Sequence, residues 1–207
     1  MIRYLLSAAS GYLLGAVNPG VILSKNAFLD DVRRHGSGNA GATNMARVFG
    51  WGAGILTLAF DVGKAVGSMF IGKKLAGDKG LAVSGVACLA GHCWPAYYDF
   101  KGGKGVAVGG GVALMISPAV FASSVAAFAA GAVSTKKVSV GSVCAATMLS
   151  ASSFIFKASK PKKILALCTS AVVLWSHRPN IKRLIENTEP DFKASPRKML
   201  LKKLRGE

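Results

Sequence analysis

Apolar residues in this chain run in long stretches with few or no charges, separated by short polar ones, instead of alternating or recurring every third and fourth position. Such runs cover residues 4–23, 48–71, 81–98, 106–135, 138–156 and 164–176. Roughly 20 apolar residues cross a bilayer as α-helix, so most of these runs qualify as transmembrane helices and only the last is short. Lys162 and Lys163, by snorkelling, and Trp175, at the opposite interface, are expected to lengthen it. The first run exceeds the apolar core of about 7 to 15 residues in a cleaved signal and is expected to stay as the first span. The pattern predicts an all-α polytopic membrane protein without internal repeats or a second domain.

The stretch 106–135 is either one long tilted helix or two shorter ones separated at Ser117-Pro118, where proline signals a turn. One helix makes six spans and two make seven. Seven spans put 17 Lys and Arg residues on one side and 8 on the other, against 15 and 10 for six spans. The positive-inside rule therefore favours seven transmembrane helices, with the N-terminus outside and the C-terminal tail in the cytoplasm.

Composition changes this picture little. The chain has 207 residues, 51% of them apolar, and a formal net charge of +17. Its mean hydropathy of +0.41 is too high for an ordinary soluble domain. The cations fall mostly between the apolar runs, where membrane topology alone would place them, so nucleic acid is not expected as a partner. The same basic loops could hold anionic lipid headgroups or a phosphorylated substrate. Cys88, Cys93, Cys144 and Cys168 lie in or beside apolar runs without paired CxxC spacing and read as packing residues, so no metal site is predicted.

Three polar stretches at the ends of the apolar runs carry the candidate chemistry. The first, HGSGNAGATNMARVFG over 35–50, has small residues that leave backbone N–H groups open. Ser37, Asn39, Thr43 and Asn44 add side-chain hydrogen bonds there and Arg47 a fixed charge, a set able to hold an oxyanion. The second, GHCWPAYYDFKGGKGVAVGGG over 91–111, reads as a phosphate cradle. Gly102, Gly103 and Gly105 permit close backbone approach, Lys101 and Lys104 supply cations, and the next helix offers its N-terminus. It lacks the GxxxxGK[ST] spacing of a Walker A loop. In the third, SHRPNIKRLIENTEP over 176–190, a helix would put His177 and Asn180 on one face and Ile181, Leu184 and Ile185 in an apolar stripe suited to a membrane surface. Asp61 and Lys64, three apart inside the second span, are costly in lipid unless paired, and structural pairing is expected. His92 reads as a packed, hydrogen-bonded histidine or a proton carrier.

Taken together, GSGNAGATNMARVFG, GHCWPAYYDFKGGKGVAV and HRPNIKRLIENTEP resemble the three signature regions of the PlsY family of bacterial acyl-phosphate:glycerol-3-phosphate acyltransferases. The resemblance covers nearly the whole chain to about Pro190. It implies one integral membrane acyltransferase domain over 1–190, followed by a basic cytoplasmic tail over 191–207. It also implies seven transmembrane helices in the bacterial inner membrane and an active site at the cytoplasmic face. The reaction it implies is transfer of a fatty acyl group from acyl phosphate to the 1-hydroxyl of glycerol 3-phosphate, without a cofactor, giving lysophosphatidate and phosphate. Residue by residue it points to Ser37, Asn39, Thr43, Asn44, Arg47, Lys104 with its flanking glycines, His177 and Asn180, and to Ser139 and Ser142 in KKVSVGS. Two positions depart from the family pattern: Val108 stands where threonine is usual, and Asn187 where glycine is common.

Acyl phosphate is a mixed anhydride with an activated carbonyl and a good leaving group, so no covalent enzyme intermediate is expected. The protein would supply proximity, charge neutralisation and an oxyanion donor. Arg47, Lys104 and the glycine N–H groups suit those roles, a phosphate oxygen or His177 could take the hydroxyl proton, and the apolar spans, with membrane lipid, would hold the acyl chain. The rival reading is a membrane transporter for a phosphorylated metabolite, which would use the same basic pocket without chemistry.

Overall fold

The computed structural model describes residues 1–192; most of the basic tail lies outside the described residues. The described chain is helical throughout: α1 (Ile2–Ala16), α2 (Pro19–Ala27), α3 (Ala42–Phe49), α4 (Trp51–Cys93), α5 (Val106–Ile116), α6 (Pro118–Thr135), α7 (Val138–Ile155), α8 (Lys160–Ser176) and α9 (Arg178–Ile185). Short 3-10 turns lie at Val32–Arg34 and Ala96–Tyr98. Four segments, Ile2–Ala27, Trp51–Tyr98, Pro118–Thr135 and Val138–Ile155, are long and apolar enough to cross a membrane.

The first of these is not one helix. Pro19 cannot donate to the helical ladder, and Asn18 Oδ1 instead caps a new helix by accepting from Val21 N at 3.2 Å, so the expected first span breaks into α1 and α2. The second is a hairpin. Ala76 and Gly77 leave the helical conformation, and the two limbs of α4 fold back on each other, Ser84 Oγ donating to Ser68 O at 2.7 Å. Helix α1 lies against the second limb with Gly11 and Gly15 at the contact; a Cβ on Gly15 would stand 2.1 Å from Cys88 O, so only glycine allows this approach.

Ser117 and Pro118 divide the 106–135 stretch into two helices, with Ser117 Oγ capping α6 through Val120 N at 3.2 Å. The 11 residues of α5 are too few to cross a bilayer alone. They need not meet lipid along their length, because Val108, Val112 and Ala113 are buried in a core shared with Met69, Leu89 and Leu165. Lys162, at the start of α8, has a specific partner. Its ammonium donates to Ile116 O at 3.2 Å, closing the C-terminus of α5, and Lys163 sits over the Phe154 ring. Helix α8 starts at Lys160, four residues before the apolar run, and reaches 17 residues.

Large apolar side chains such as Ile55, Phe60, Phe70, Phe154 and Ile155 face outward, whereas Ser68, Ser84, Ser152, Ser153 and Thr169 are buried. That inversion is what a lipid solvent requires, since helices in it associate through small residues and buried hydroxyls.

Candidate active site

All three polar stretches meet at one end of the bundle. Arg33 anchors the first of them. Its guanidinium grips both Asp31 oxygens, Nε at 3.1 Å and Nη2 at 2.8 Å, and the hydrogen bonds from Arg33 pull the Asp31 carboxyl down to about 2. The same guanidinium reaches Tyr98 O at 3.5 Å and lies over the Tyr98 ring, tying this loop to the one after α4.

Asn44, expected to touch substrate, is instead the internal pin of the first stretch. It is 1% exposed and uses its whole amide: Oδ1 accepts from Ser37 N at 3.0 Å, and Nδ2 donates to the carbonyls of Val32, His35 and Asn39. Asn39 Oδ1 accepts from Gly41 N at 2.8 Å, while its Nδ2 reaches Gly102 O at 3.5 Å and so joins the first stretch to the second. The Ser37 side chain is exposed, and Thr43 and Arg47 are partly buried in the first and second turns of α3.

The second stretch folds back on the end of α4, Gly102 N donating to Cys93 O at 3.2 Å and Gly103 N to His92 O at 3.0 Å. Gly105 then takes φ +82°, a left-handed value, as the residue before α5, and no side chain caps that helix. Its first-turn N–H groups are therefore open to an anion. Lys104 projects between these glycines. Its ammonium donates to Asn180 Oδ1 at 2.5 Å, bringing the third stretch to the second across 76 residues.

Asn180 Nδ2 in turn donates to Glu189 Oε1 at 2.7 Å, and Arg183 Nε to Glu189 Oε2 at 2.7 Å. Burial would raise the Glu189 carboxyl, but these bonds, with the Ser139 hydroxyl close by, outweigh it and hold it below its ordinary value. The turn that carries Glu189 needs Asn187 at φ +54°, which asparagine tolerates, so the departure from glycine keeps the turn. Lys137 Nζ holds the segment down through Glu189 O at 2.7 Å and Asp191 Oδ1 at 3.0 Å.

His177 is 3% exposed and its Nδ1 stands 2.8 Å from Val173 O. A carbonyl only accepts, so Nδ1 carries the proton and Nε2 keeps the lone pair. Burial above all, with nearby Lys104, lowers the pKa of this ring. Ser142 is placed apart from the pocket wall: it is buried on α7 and bonds Val138 O at 2.9 Å. Val108, where a hydroxyl would be usual, is completely buried in the core.

The result is a pocket of about 560 Å³ lined by Gly36, Ser37, Gly38, Asn39, Arg47, Lys104, Pro179, Arg183 and Pro190. Among the described residues, Arg183 has a carboxylate partner, but Lys104 bonds only a neutral amide and Arg47 has no ion pair. Burial first, then repulsion from Arg183 and Arg47, lowers the Lys104 pKa. Glu189 lies beyond the Asn180 amide from Lys104, but neither Lys104 nor Arg47 forms an ion pair among the described residues, so together in a partly enclosed pocket they make a site for anions. Sequence reasoning missed Arg183 and Glu189 as site members; their opposite charges within the third stretch were the available signal.

The chain matches the family described as "Glycerol-3-phosphate acyltransferase" over residues 5–187. It is 40% identical over 184 residues to a glycerol-3-phosphate acyltransferase of Thermoanaerobacter pseudethanolicus, covering 89% of this chain and 93% of that one. A glycerol-3-phosphate acyltransferase of Syntrophotalea carbinolica is 36% identical over 196 residues, covering 94% and 100%. Two crystal structures of PlsY, an integral membrane glycerol 3-phosphate acyltransferase, share the fold. Its glycerol 3-phosphate form superimposes with a TM-score of 0.87 at 32% identity, covering 92% of this chain and 96% of that one. Its lysophosphatidic acid form gives 0.85 at 30% identity with the same coverage.

Proposed function

Because this chain belongs to the PlsY family of glycerol-3-phosphate acyltransferases, we propose that its pocket brings acyl phosphate and glycerol 3-phosphate together for direct acyl transfer. The observation that carries this reading is the pair of cations without an ion-pair partner among the described residues, Arg47 and Lys104, in one pocket.

Both substrates are anions, so the first requirement is to hold two phosphate groups against mutual repulsion. Lys104, Arg47 and the first turn of α5 take that part, and Ser37 and Asn39 hydrogen-bond substrate oxygens at the pocket wall. The 1-hydroxyl of glycerol 3-phosphate attacks the carbonyl carbon of acyl phosphate, the C–O bond to phosphate breaks, and phosphate leaves with the electron pair. The hydroxyl proton passes to a phosphate oxygen or to the Nε2 lone pair of His177. Asn44, Asn180 and Glu189 position these groups. Thr43 supports the wall from α3, and the outward apolar faces let the acyl chain lie among membrane lipids.

In this reading residues 1–190 form one acyltransferase unit with seven crossings of the bacterial inner membrane, and the pocket opens to the cytoplasm. The test is phosphate release by purified protein from palmitoyl phosphate with and without glycerol 3-phosphate. Release is expected only with both, with no acyl label on the denatured enzyme after exposure to acyl phosphate alone. Stoichiometric acylation of Ser37 with ping-pong kinetics would replace direct transfer by a covalent route.

A further inference from the structure

Beneath the glycine loop lies an ionisable cluster to which the mechanism assigns no part. Lys64 Nζ, on the first limb of α4, stands 2.6 Å from Val17 O, 2.7 Å from Asp61 Oδ1 and 3.0 Å from His92 Nδ1. Val17 O is the carbonyl left open where α1 breaks from α2. The side chains of Asp61, Lys64 and His92 are 2%, 8% and 4% exposed. Lys64 thus pairs with Asp61 and bonds both the Val17 carbonyl and the His92 ring, whose Nδ1 also stands 3.3 Å from Asp61 Oδ1. Asp61 balances the charge, which makes the cluster neutral as a whole and tolerable within the bilayer.

The other side of the ring meets the loop. A Cβ built on Gly103 would stand 2.1 Å from His92 Nε2 and 2.7 Å from Cε1, so the Nε2 corner fills the space where a side chain would be. The backbone of the same histidine holds Gly103 N at 3.0 Å. Gly103 directly precedes Lys104, so the height of the ring sets the height of the ammonium that reaches Asn180. We propose that His92 is a positioning residue for the anion-binding loop, its ring held against Gly103 by the Asp61–Lys64 pair so that Lys104 stands where phosphate binds. This rests on the acyltransferase reading, and the cluster thereby joins the break in the first span to the second polar stretch.

The experiment is a double-mutant cycle on His92→Ala and Gly103→Ala, with kinetics measured on the monodisperse fraction in detergent. Wild-type turnover in the same assay separates failure of this proposal from failure of the reading it rests on. Each single change is expected to raise the KM for at least one phosphorylated substrate fivefold or more, with kcat changed less than threefold. Gly103→Ala added to His92→Ala should cost less than a further twofold, because the atom it would strike is gone. Removing both charges together, with Asp61→Asn and Lys64→Gln, should raise the same KM. A merely structural cluster would lower the yield of folded enzyme without moving KM, and independent roles would make the two penalties multiply; either result overturns the proposal. Should His92→Ala give no monodisperse protein, His92→Asn, which also lacks the Nε2 corner, carries the same cycle, and failure of both to fold overturns it too by assigning the cluster to the fold alone.

Discussion

Lys104 is held by a neutral amide and, among the described residues, forms no ion pair, so its charge is available to a phosphate. Losing a charge-assisted contact of this kind costs on the order of 1.5 to 3 kcal/mol, about tenfold or more in rate. Lys104→Ala and Arg47→Ala are each expected to cut turnover by at least that factor in a phosphate-release assay, and full activity in both would remove the anion site. The pH profile follows from two burial effects with opposite consequences. The Lys104 pKa lies below the ordinary 10.5, so its charge is lost earlier on alkaline titration than that of a solvated lysine. The His177 pKa lies below 6.5, so its ring stays neutral, and able to accept a proton, to more acid pH than a free histidine. Activity should therefore keep its plateau below pH 6.5 on the acid side and lose it before 10.5 on the alkaline side. Lys104→Arg, if active, should extend the alkaline limb.

The segment after α9 works as a strap across the site, fixed to α9 by Glu189 and to the α6–α7 turn by Lys137 and by Phe192 N, which donates to Lys136 O at 2.9 Å. Because the folded-state pKa of Glu189 is depressed below the ordinary 4.5, its contribution to stability is complete above about that pH and is lost as pH falls through the lower folded value. Glu189→Gln should lower stability at neutral pH by on the order of 1 kcal/mol, and the gap to wild type should close on acidification; a constant gap in thermal unfolding across pH 3–7 would refute this. The strap and the anion loop also show what was legible beforehand. Long apolar runs announced the helices, and the glycines around Lys104 announced the cradle, because both signals are local in sequence. The division of the first span at Asn18-Pro19 was hidden by the apolar run that continues through it, although Pro19 stood there as a marker. The meeting of Lys104 with Asn180, and of Asp61 and Lys64 with His92, depends on which helices pack together, and no local pattern encodes that. Asn44 was legible as a member of the first loop but not as its pin, since its amide faces three carbonyls that only the folded turn brings around it.

Loops gather at two opposite ends of the molecule. At one end, Arg33 reaches Tyr98, Asn39 reaches Gly102, Lys104 reaches Asn180 and Lys137 reaches Asp191, so the turns after α2, α4, α6 and α8 are joined to each other. At the other end, Ser159 Oγ donates to Asp78 Oδ2 at 2.5 Å, which joins the tip of the α4 hairpin to the turn between α7 and α8. The proposed seven crossings would produce this two-ended arrangement, with α1 and α2 as one crossing, α4 as two, and α5, α6, α7 and α8 as one each. A six-span chain, with 106–135 as a single helix, would put the turn after α2 and the chain beyond α8 at opposite ends, whereas here they line one pocket. In the proposed topology the pocket end also carries most of the loop cations, and the positive-inside rule is the argument for a cytoplasmic pocket. In a variant with all four native cysteines replaced, single cysteines beside Lys25 and Lys101 should react only with reagent on the cytoplasmic side, and one beside Lys160 only with reagent outside. A reporter fused after Glu207 should read the cytoplasm. Labels at Lys25 and Lys160 reporting the same side would break the seven-crossing topology. Labels at Lys25 and Lys101 on the outer face would keep the topology but reverse its orientation, placing the pocket away from the cytoplasmic supply of phosphorylated substrates.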